Sequence, residues 1–181
     1  NGETLEENYR RVANYIAKTS DEEEEFYNVI SEGLFLPAGR TMSNCGIGEN
    51  LTLNNCFVAP QIPDDLKSIF DTVKLGAVTH KAGGGIGYDF SLIRPAGTPT
   101  SNDAIASGPV SFMEVFNTQT STILQGNRRG ANMGVMNIYH PDIEQFITAK
   151  TEQGKFEHFN LSVMVDDAFM EAMQNNQDVY L

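Results

Sequence analysis

Ala82-Gly83-Gly84-Gly85-Ile86-Gly87-Tyr88 is the junction on which the fold turns. Before it, Leu66, Ile69, Phe70, Val73 and Ala77 recur at helical spacing; after it, Tyr88–Leu92 reads as a strand. The run is therefore a helix-to-strand connection. That order is opposite to the strand–G-x-G-x-x-G–helix of a dinucleotide site, and Tyr88 stands where that fingerprint needs its last glycine. Four glycines in five residues mark a place where the backbone turns tightly or approaches a ligand closely. Both readings fit this run taken alone.

The alternation continues on either side. Asn55–Ala59 reads as a short strand ended by Pro60 and Pro63, and Asp64 is the expected cap of the helix that follows. Downstream, Pro95–Gly108 is a loop, and Ser107 with Pro109 opens a helix carrying Val110, Met113, Phe116, Thr120 and Leu124 on one face. Residues 125–132 form a second loop, followed by a strand at Gly134–Tyr139 and a helix after Pro141. A strand at Asn160–Val165 and a helix over Asp166–Met173 follow. Strands separated by helices predict parallel crossover units, hence an α/β sheet or barrel. Asp178-Val179-Tyr180-Leu181 resembles the start of another strand, so the chain is expected to be the front part of something longer.

Upstream, Thr4-Leu5-Glu6-Glu7 and Ser20-Asp21-Glu22-Glu23 are capping boxes. Leu5, Tyr9, Val12 and Ile16 stripe one helix, and Phe26, Tyr27, Ile30 and Leu34 stripe a second, with Gly33 as its stop. The acidic run Asp21–Glu25 suits a solvated helix N-terminus. Leu34–Asn55 is irregular. The expected division is a helical segment over residues 1–33 and the α/β region over 34–181.

The second loop, Gln125-Gly126-Asn127-Arg128-Arg129-Gly130-Ala131-Asn132, sets two guanidiniums on a glycine-bracketed backbone. That is chemistry for grasping phosphate or a planar base. A net charge of −12 opposes binding of duplex nucleic acid but leaves room for a mononucleotide. No apolar run reaches the roughly eighteen residues of a membrane span, and Asn1-Gly2-Glu3 is not the start of a secretory signal, so a cytoplasmic protein is expected. Cys45 and Cys56 are too few for a disulfide scaffold and form no C-x-x-C, and His80, His140 and His158 are scattered. No metal site is expected within the chain.

Three segments, Gly83–Gly97, Ala106–Phe116 and Gln125–Gly134, together resemble ribonucleotide reductase catalytic chains, most closely the adenosylcobalamin-dependent (class II) branch. The resemblance runs from about Leu34 to the end. It implies the first half of a ten-stranded α/β barrel, preceded here by a short helical N-terminal segment. It places Thr41 on the substrate phosphates and Gly84 and Gly85 along the substrate. Cys56 falls on one of two redox cysteines that reduce the ribose 2′ position and end as a disulfide. Asn55, beside it, is a departure from the serine or small residue common there.

The resemblance also implies a specificity site for a deoxynucleotide or ATP effector, with Asp64 on its sugar and Arg94 with Ser91–Ile93 in one effector loop. Gln125, Arg128 and Arg129 would read the effector and relay its identity to the substrate. Helices at 64–80 and 109–124 would pack across a homodimer. In the complete enzyme adenosylcobalamin would generate the radical, and a dithiol such as thioredoxin would reset the disulfide. A homodimer, or a partner chain supplying the rest of the barrel, is expected. The family's asparagine-x-cysteine-x-glutamate loop and second redox cysteine do not occur in these residues, so the chain alone is expected to be inactive. Two other readings stay open: a metal-radical class I large chain, and a non-catalytic nucleotide-binding module. Taken without the resemblance, Cys56 reads as a buried free cysteine.

Overall fold

The computed structural model describes residues 2–48, 51–101, 104–125 and 128–179, with the backbone alone at 124–125 and 128–129. The chain divides into two compact units, Asn1–Cys56 with Ala82–Gly84, and Phe57–Lys81 with Gly85–Leu181.

In the first unit, helix α1 (Leu5–Ile16) starts at the expected capping box: Thr4 Oγ1 accepts from Glu7 N at 3.2 Å and Glu7 Oε2 accepts from Thr4 N at 2.8 Å. Helix α2 (Ser20–Ser31) begins one residue earlier than the sequence pattern predicts. Thr19, not Ser20, is the cap, accepting from Glu22 N at 3.2 Å, while Glu22 accepts from Lys18 N. Two adjacent hydroxyls competed for the same free amides, and the upstream one holds them. The helix ends at Gly33 as expected, with Gly33 N bonded to Ile30 O and Leu34 N to Val29 O.

Residues expected to be irregular contain a third helix, α3 (Gly39–Asn44). Met42 is its one large apolar residue, so it carries no apolar stripe, and tertiary bonds supply what propensity lacks. Arg11 donates to the carbonyls of Met42 and Cys45, and Asn8 donates to Met42 O at 3.1 Å. The core of this unit is Val12, Ile30 and Cys45, with Tyr9, Met42 and Leu53 packed on it. Cys45 and Leu53 thus share a core with residues of α1 and α2.

The second unit is built on strands β1 (Cys56–Val58), β2 (Gly85–Asp89), β5 (Asn132–Asn137) and β6 (Phe159–Met164), in sheet order β1-β2-β5-β6. β2 pairs parallel with β5 from Ile86↔Asn132 to Asp89↔Val135, and β5 pairs parallel with β6 from Asn132↔Phe159 to Asn137↔Met164. Parallel neighbours need crossovers. Helices α4 (Leu66–Lys81), α5 (Pro109–Thr122) and α6 (Ile143–Thr148) lie between the strands, and α7 (Asp167–Gln174) follows β6. The α/β expectation and the helical N-terminal segment both hold.

Two local expectations fail. The glycine run is not all connection: Gly85 and Gly87 lie inside β2, where ladder bonds such as Ile86 N to Ala131 O override their low strand preference. The Gln125–Asn132 loop contains a two-stranded hairpin, β3 (Leu124–Gln125) against β4 (Arg128–Arg129).

The core beneath the sheet is aromatic. Tyr88, Phe90, Phe116 and Phe159 are all buried, and Phe116 meets Tyr88 and Phe90 edge-on at 4.7 and 5.4 Å between ring centroids. Such pairs add about 0.5–1.5 kcal/mol each beyond area burial. α5 supplies Val110, Met113, Phe116 and Thr120 on the face the sequence predicts; Leu124 falls instead in β3.

Candidate functional site

Asp64 is not the cap of α4. Asp65 is, with Oδ1 accepting from Ser68 N at 2.9 Å. That leaves Asp64 to hold Arg94: Nε donates to Oδ2 at 2.6 Å, the Arg94 backbone N donates to Oδ1 at 3.1 Å, and Nη2 reaches Asp64 O at 3.4 Å. The side chains are 40% and 32% exposed. At such exposure an ion pair contributes about 0.2–1 kcal/mol to stability, so its main consequence is geometric. The guanidinium is fixed in one orientation.

The pair forms the polar end of a cleft of about 300 Å³ whose other wall includes Ile69, Ile105, Phe112 and Gly108. A small apolar hollow with one oriented carboxylate–guanidinium pair is the construction of a small-ligand site. Thr100 and residues 105–108 also line the cleft, and the two backbone arms there pair through Ala106 N to Thr98 O at 2.9 Å and Gly97 N to Ala106 O at 3.0 Å. Ser107 does not cap α5, contrary to expectation. Gly108 holds the cap position with no side-chain bond, and Pro109 follows at the first helical position.

The other expected residues fall in several places. Thr41 sits on α3, its Oγ1 donating to Leu53 O at 3.1 Å, and Asn55 Oδ1 accepts from Arg40 N at 3.0 Å. These bonds bring 40–41 and 53–55 side by side. Cys56 opens β1 and is exposed, which corrects the expectation of a buried strand end. β1 is the edge of the described sheet; along it Cys56 and Val58 are exposed while Phe57 packs toward the core. Cys45 is the buried cysteine, and burial pushes its thiol pKa up, which keeps it unreactive. Gly84 is buried just before β2, and Gly85 is its first residue. Gln125 pairs with Arg128 across the hairpin, with Arg129 beside it opposite Leu124; Gly126 and Asn127 lie outside the described residues.

The chain matches the ribonucleotide reductase all-alpha domain over residues 1–50 and the ribonucleotide reductase barrel domain over residues 54–181. It belongs to the ribonucleotide reductase family. It is 44% identical over 161 residues to a vitamin B12-dependent ribonucleoside-diphosphate reductase of Thermoplasma acidophilum, and 45% identical over 156 residues to one of Mycobacterium tuberculosis. These alignments cover 86% and 84% of this chain but only 20% and 22% of the relatives, so the chain spans about a fifth of their length. The class Id ribonucleotide reductase alpha subunit of Actinobacillus ureae superposes with a TM-score of 0.82 at 26% identity, over 97% of this chain and 32% of that one.

Sequence reasoning missed three groups in this chain. His80 is buried at the end of α4, its Nδ1 lying 3.2 Å from Gln119 Nε2, and its ring lies against Gly130, where a Cβ would fall 2.5 Å from His80 Cγ. Only glycine fits at the exit of the arginine hairpin. Burial pushes the His80 imidazole below its ordinary value, opposed by the Ala131 backbone and the Asn132 side chain and reinforced by His158. His140 and Asp142, at the end of β5, bond to the Arg94 loop. Isolated histidines far apart in sequence carry no periodic or spacing signal that would have exposed these contacts.

Proposed function

We propose that this chain is the portion of a cobalamin-dependent ribonucleoside-diphosphate reductase that carries the effector cleft and one redox thiol. The observation that carries the reading is Arg94, held by Asp64 through side chain and backbone at the polar end of a ligand-sized cleft. Asp64 meets the effector sugar there: each carboxylate oxygen has two acceptor positions, so bonding to Arg94 leaves capacity for a ribose hydroxyl. Gln125, Arg128 and Arg129 read the effector base and relay it. A deoxynucleotide or ATP is the effector class. The substrate is a ribonucleotide, a diphosphate by the names of the two B12-dependent relatives. Identities of 44–45% to B12-dependent enzymes, against 26% to the class Id subunit, favour the cobalamin branch over a metal-radical large chain.

In this reading Thr41 holds substrate phosphate, Asn55, Gly84 and Gly85 line the substrate, and Cys56 supplies a reducing thiol. Reduction converts two thiols to one disulfide; their two hydrogens and two electrons replace the ribose 2′ hydroxyl by hydrogen and release water. A dithiol protein such as thioredoxin then resets the pair. Among the described residues no group of three His, Cys, Asp or Glu side chains is placed to hold a metal ion, and His80 and His140 are buried in internal contacts. Adenosylcobalamin is assigned to the complete enzyme, and no step in this chain runs through it. Exposed Phe70 and Val78 on α4 suit a homodimer face, and among the described residues no helix is long and apolar enough to cross a membrane. A cytoplasmic setting completes the proposal.

The test is Cys56→Ser in the complete enzyme. Dithiol-driven turnover should fall to background while effector binding persists. Unchanged turnover would remove Cys56 from the chemistry and favour a nucleotide-binding module, and turnover without cobalamin would favour class I.

A further inference from the structure

Three consecutive stretches of backbone around Arg94 are held from outside the loop. Arg94 N is bonded to Asp64. On one side, Ile93 O lies 2.8 Å from His140 Nε2; on the other, Ala96 N donates to Asp142 Oδ2 at 2.8 Å. His140 and Asp142 are joined in turn, Asp142 N donating to His140 Nδ1 at 3.0 Å. The far arm of the loop closes on the same place. A Cβ at Gly108 would fall 2.6 Å from Asp142 Oδ2 and 2.8 Å from Ala96 N. Residues 93–96 and 108, which flank the cleft on both sides, thus converge on two side chains that do not line it.

The hydrogen-bond inventory fixes the state of the ring. A backbone N–H can only donate, so His140 Nδ1 is the acceptor and carries no proton; a carbonyl can only accept, so Nε2 carries the proton and donates to Ile93 O. The ring is 6% exposed, and both of its nitrogens have their partners inside the fold. Asp142 carries the second acceptor, and it caps α6 without a side-chain bond to that helix, leaving its carboxylate to the loop.

We infer that His140 and Asp142 are positioning residues for the effector cleft, a clamp that sets where the Arg94 guanidinium points. The inference rests on the nucleotide reading of the cleft. Neither residue touches the ligand; each acts through the backbone of residues 93–96. A residue that merely filled space would tolerate leucine. A clamp would not, but would tolerate glutamine, whose amide N–H₂ reaches the position of the imidazole Nε2 and can still donate to Ile93 O.

The experiment uses the full-length polypeptide that carries these residues, with His140→Leu, His140→Gln and Asp142→Ala. Arg94→Ala serves as the control for the cleft. Amide hydrogen exchange over residues 93–108 reads the clamp directly, and calorimetric titration with each of the four deoxynucleoside triphosphates reads its consequence. His140→Leu and Asp142→Ala should raise exchange in that segment and weaken nucleotide binding about tenfold, roughly the loss of one well-placed hydrogen bond, while His140→Gln stays within about threefold of the parent. Equal behaviour of the leucine and glutamine variants, or unchanged exchange in both His140→Leu and Asp142→Ala, overturns the clamp. Asp142 is partly exposed, so its variant reports even if His140→Leu fails to fold. If the parent protein binds none of the nucleotides, the effector reading falls, and the exchange measurements alone still decide whether the clamp exists.

Discussion

The Arg94 cleft and the Thr41–Cys56 segment are built in opposite ways. Around Arg94 the polar groups are held by Asp64, His140 and Asp142, within a unit whose core stacks four aromatic rings. Around Cys56 the polar groups of Thr41 and Asn55 are used in bonds between α3 and residues 53–55, the thiol is exposed, and the unit's buried core is Val12, Ile30 and Cys45 with three partly buried neighbours. A site that must discriminate ligands needs its donors oriented in advance, because orientation lost on binding is subtracted from affinity. A thiol that must meet a separate reductant needs access instead, and access works against a dense surround. The difference in construction follows the difference in proposed task.

The largest expected effect tests the packing side of that contrast. Phe116→Ala should cost the second unit about 3–5 kcal/mol, because it empties the point where Tyr88 and Phe90 meet an edge-on ring. Ile30→Ala, in the thinner core of the first unit, should fall near the lower end of the aliphatic range, about 2 kcal/mol. Denaturant titrations followed by amide signals in β5 and in α1 assign each loss to its unit. A larger loss for Ile30→Ala would invert the comparison.

What the sequence made legible follows the same division. The second unit declared itself because helical and strand periods alternate cleanly, and Val110, Met113 and Phe116 fall on the face they were expected to bury. Arg94 and Asp64 were found as separate candidates through the family resemblance, but their contact was not, because it joins residues thirty apart through a loop without periodicity. The cap assignments at Ser20 and Asp64 missed by one residue for a shared reason: Thr19 and Asp65 are adjacent side chains of equal capping ability, and only tertiary context selects between them. α3 was invisible because its helical bonds are completed by Arg11 and Asn8 from another helix. Cys56 read as buried because free cysteines usually are, whereas it lies on the exposed face of β1 beside Val58.

Acidification should separate the two units in order. His80, in the second unit, has its folded-state pKa pushed below the ordinary 6.5 by burial. The unfolded chain therefore takes up that proton first, and the stability held by neutral His80 is complete above pH 6.5 and lost as pH falls below it. Glu3, in the first unit, has its carboxyl pKa lowered from 4.5 to about 2, chiefly by the hydrogen bond from Arg11 and then by that from Asn8. Its contribution is complete above pH 4.5 and declines only as pH drops from there toward 2. Urea titrations at pH 7, 5.5 and 4 should thus show β5 weakening before α1. Loss of α1 first, between pH 7 and 5.5, would show that another group controls the acid limit of the first unit.

The smallest effect concerns a polar atom that the rigid unit accommodates at a cost. Tyr88 is 2% exposed, and its hydroxyl has no hydrogen-bond partner among the described residues; burial pushes its pKa above the ordinary value for tyrosine. It faces α4 at Gly76, where a Cβ would fall 2.1 Å from Tyr88 Oη. A buried unpaired hydroxyl costs about 1–3 kcal/mol, while its removal leaves a small void that returns part of the gain, so Tyr88→Phe should stabilise by about 1 kcal/mol or less. Gly76→Ala should be strongly destabilising with tyrosine present and much less so with phenylalanine, since the clash is with the hydroxyl itself. A double-mutant cycle on thermal unfolding reads that coupling. If Tyr88→Phe were itself destabilising, the hydroxyl would have to be donating within the folded unit, and the aromatic core would depend on a polar contact as much as the Arg94 loop does.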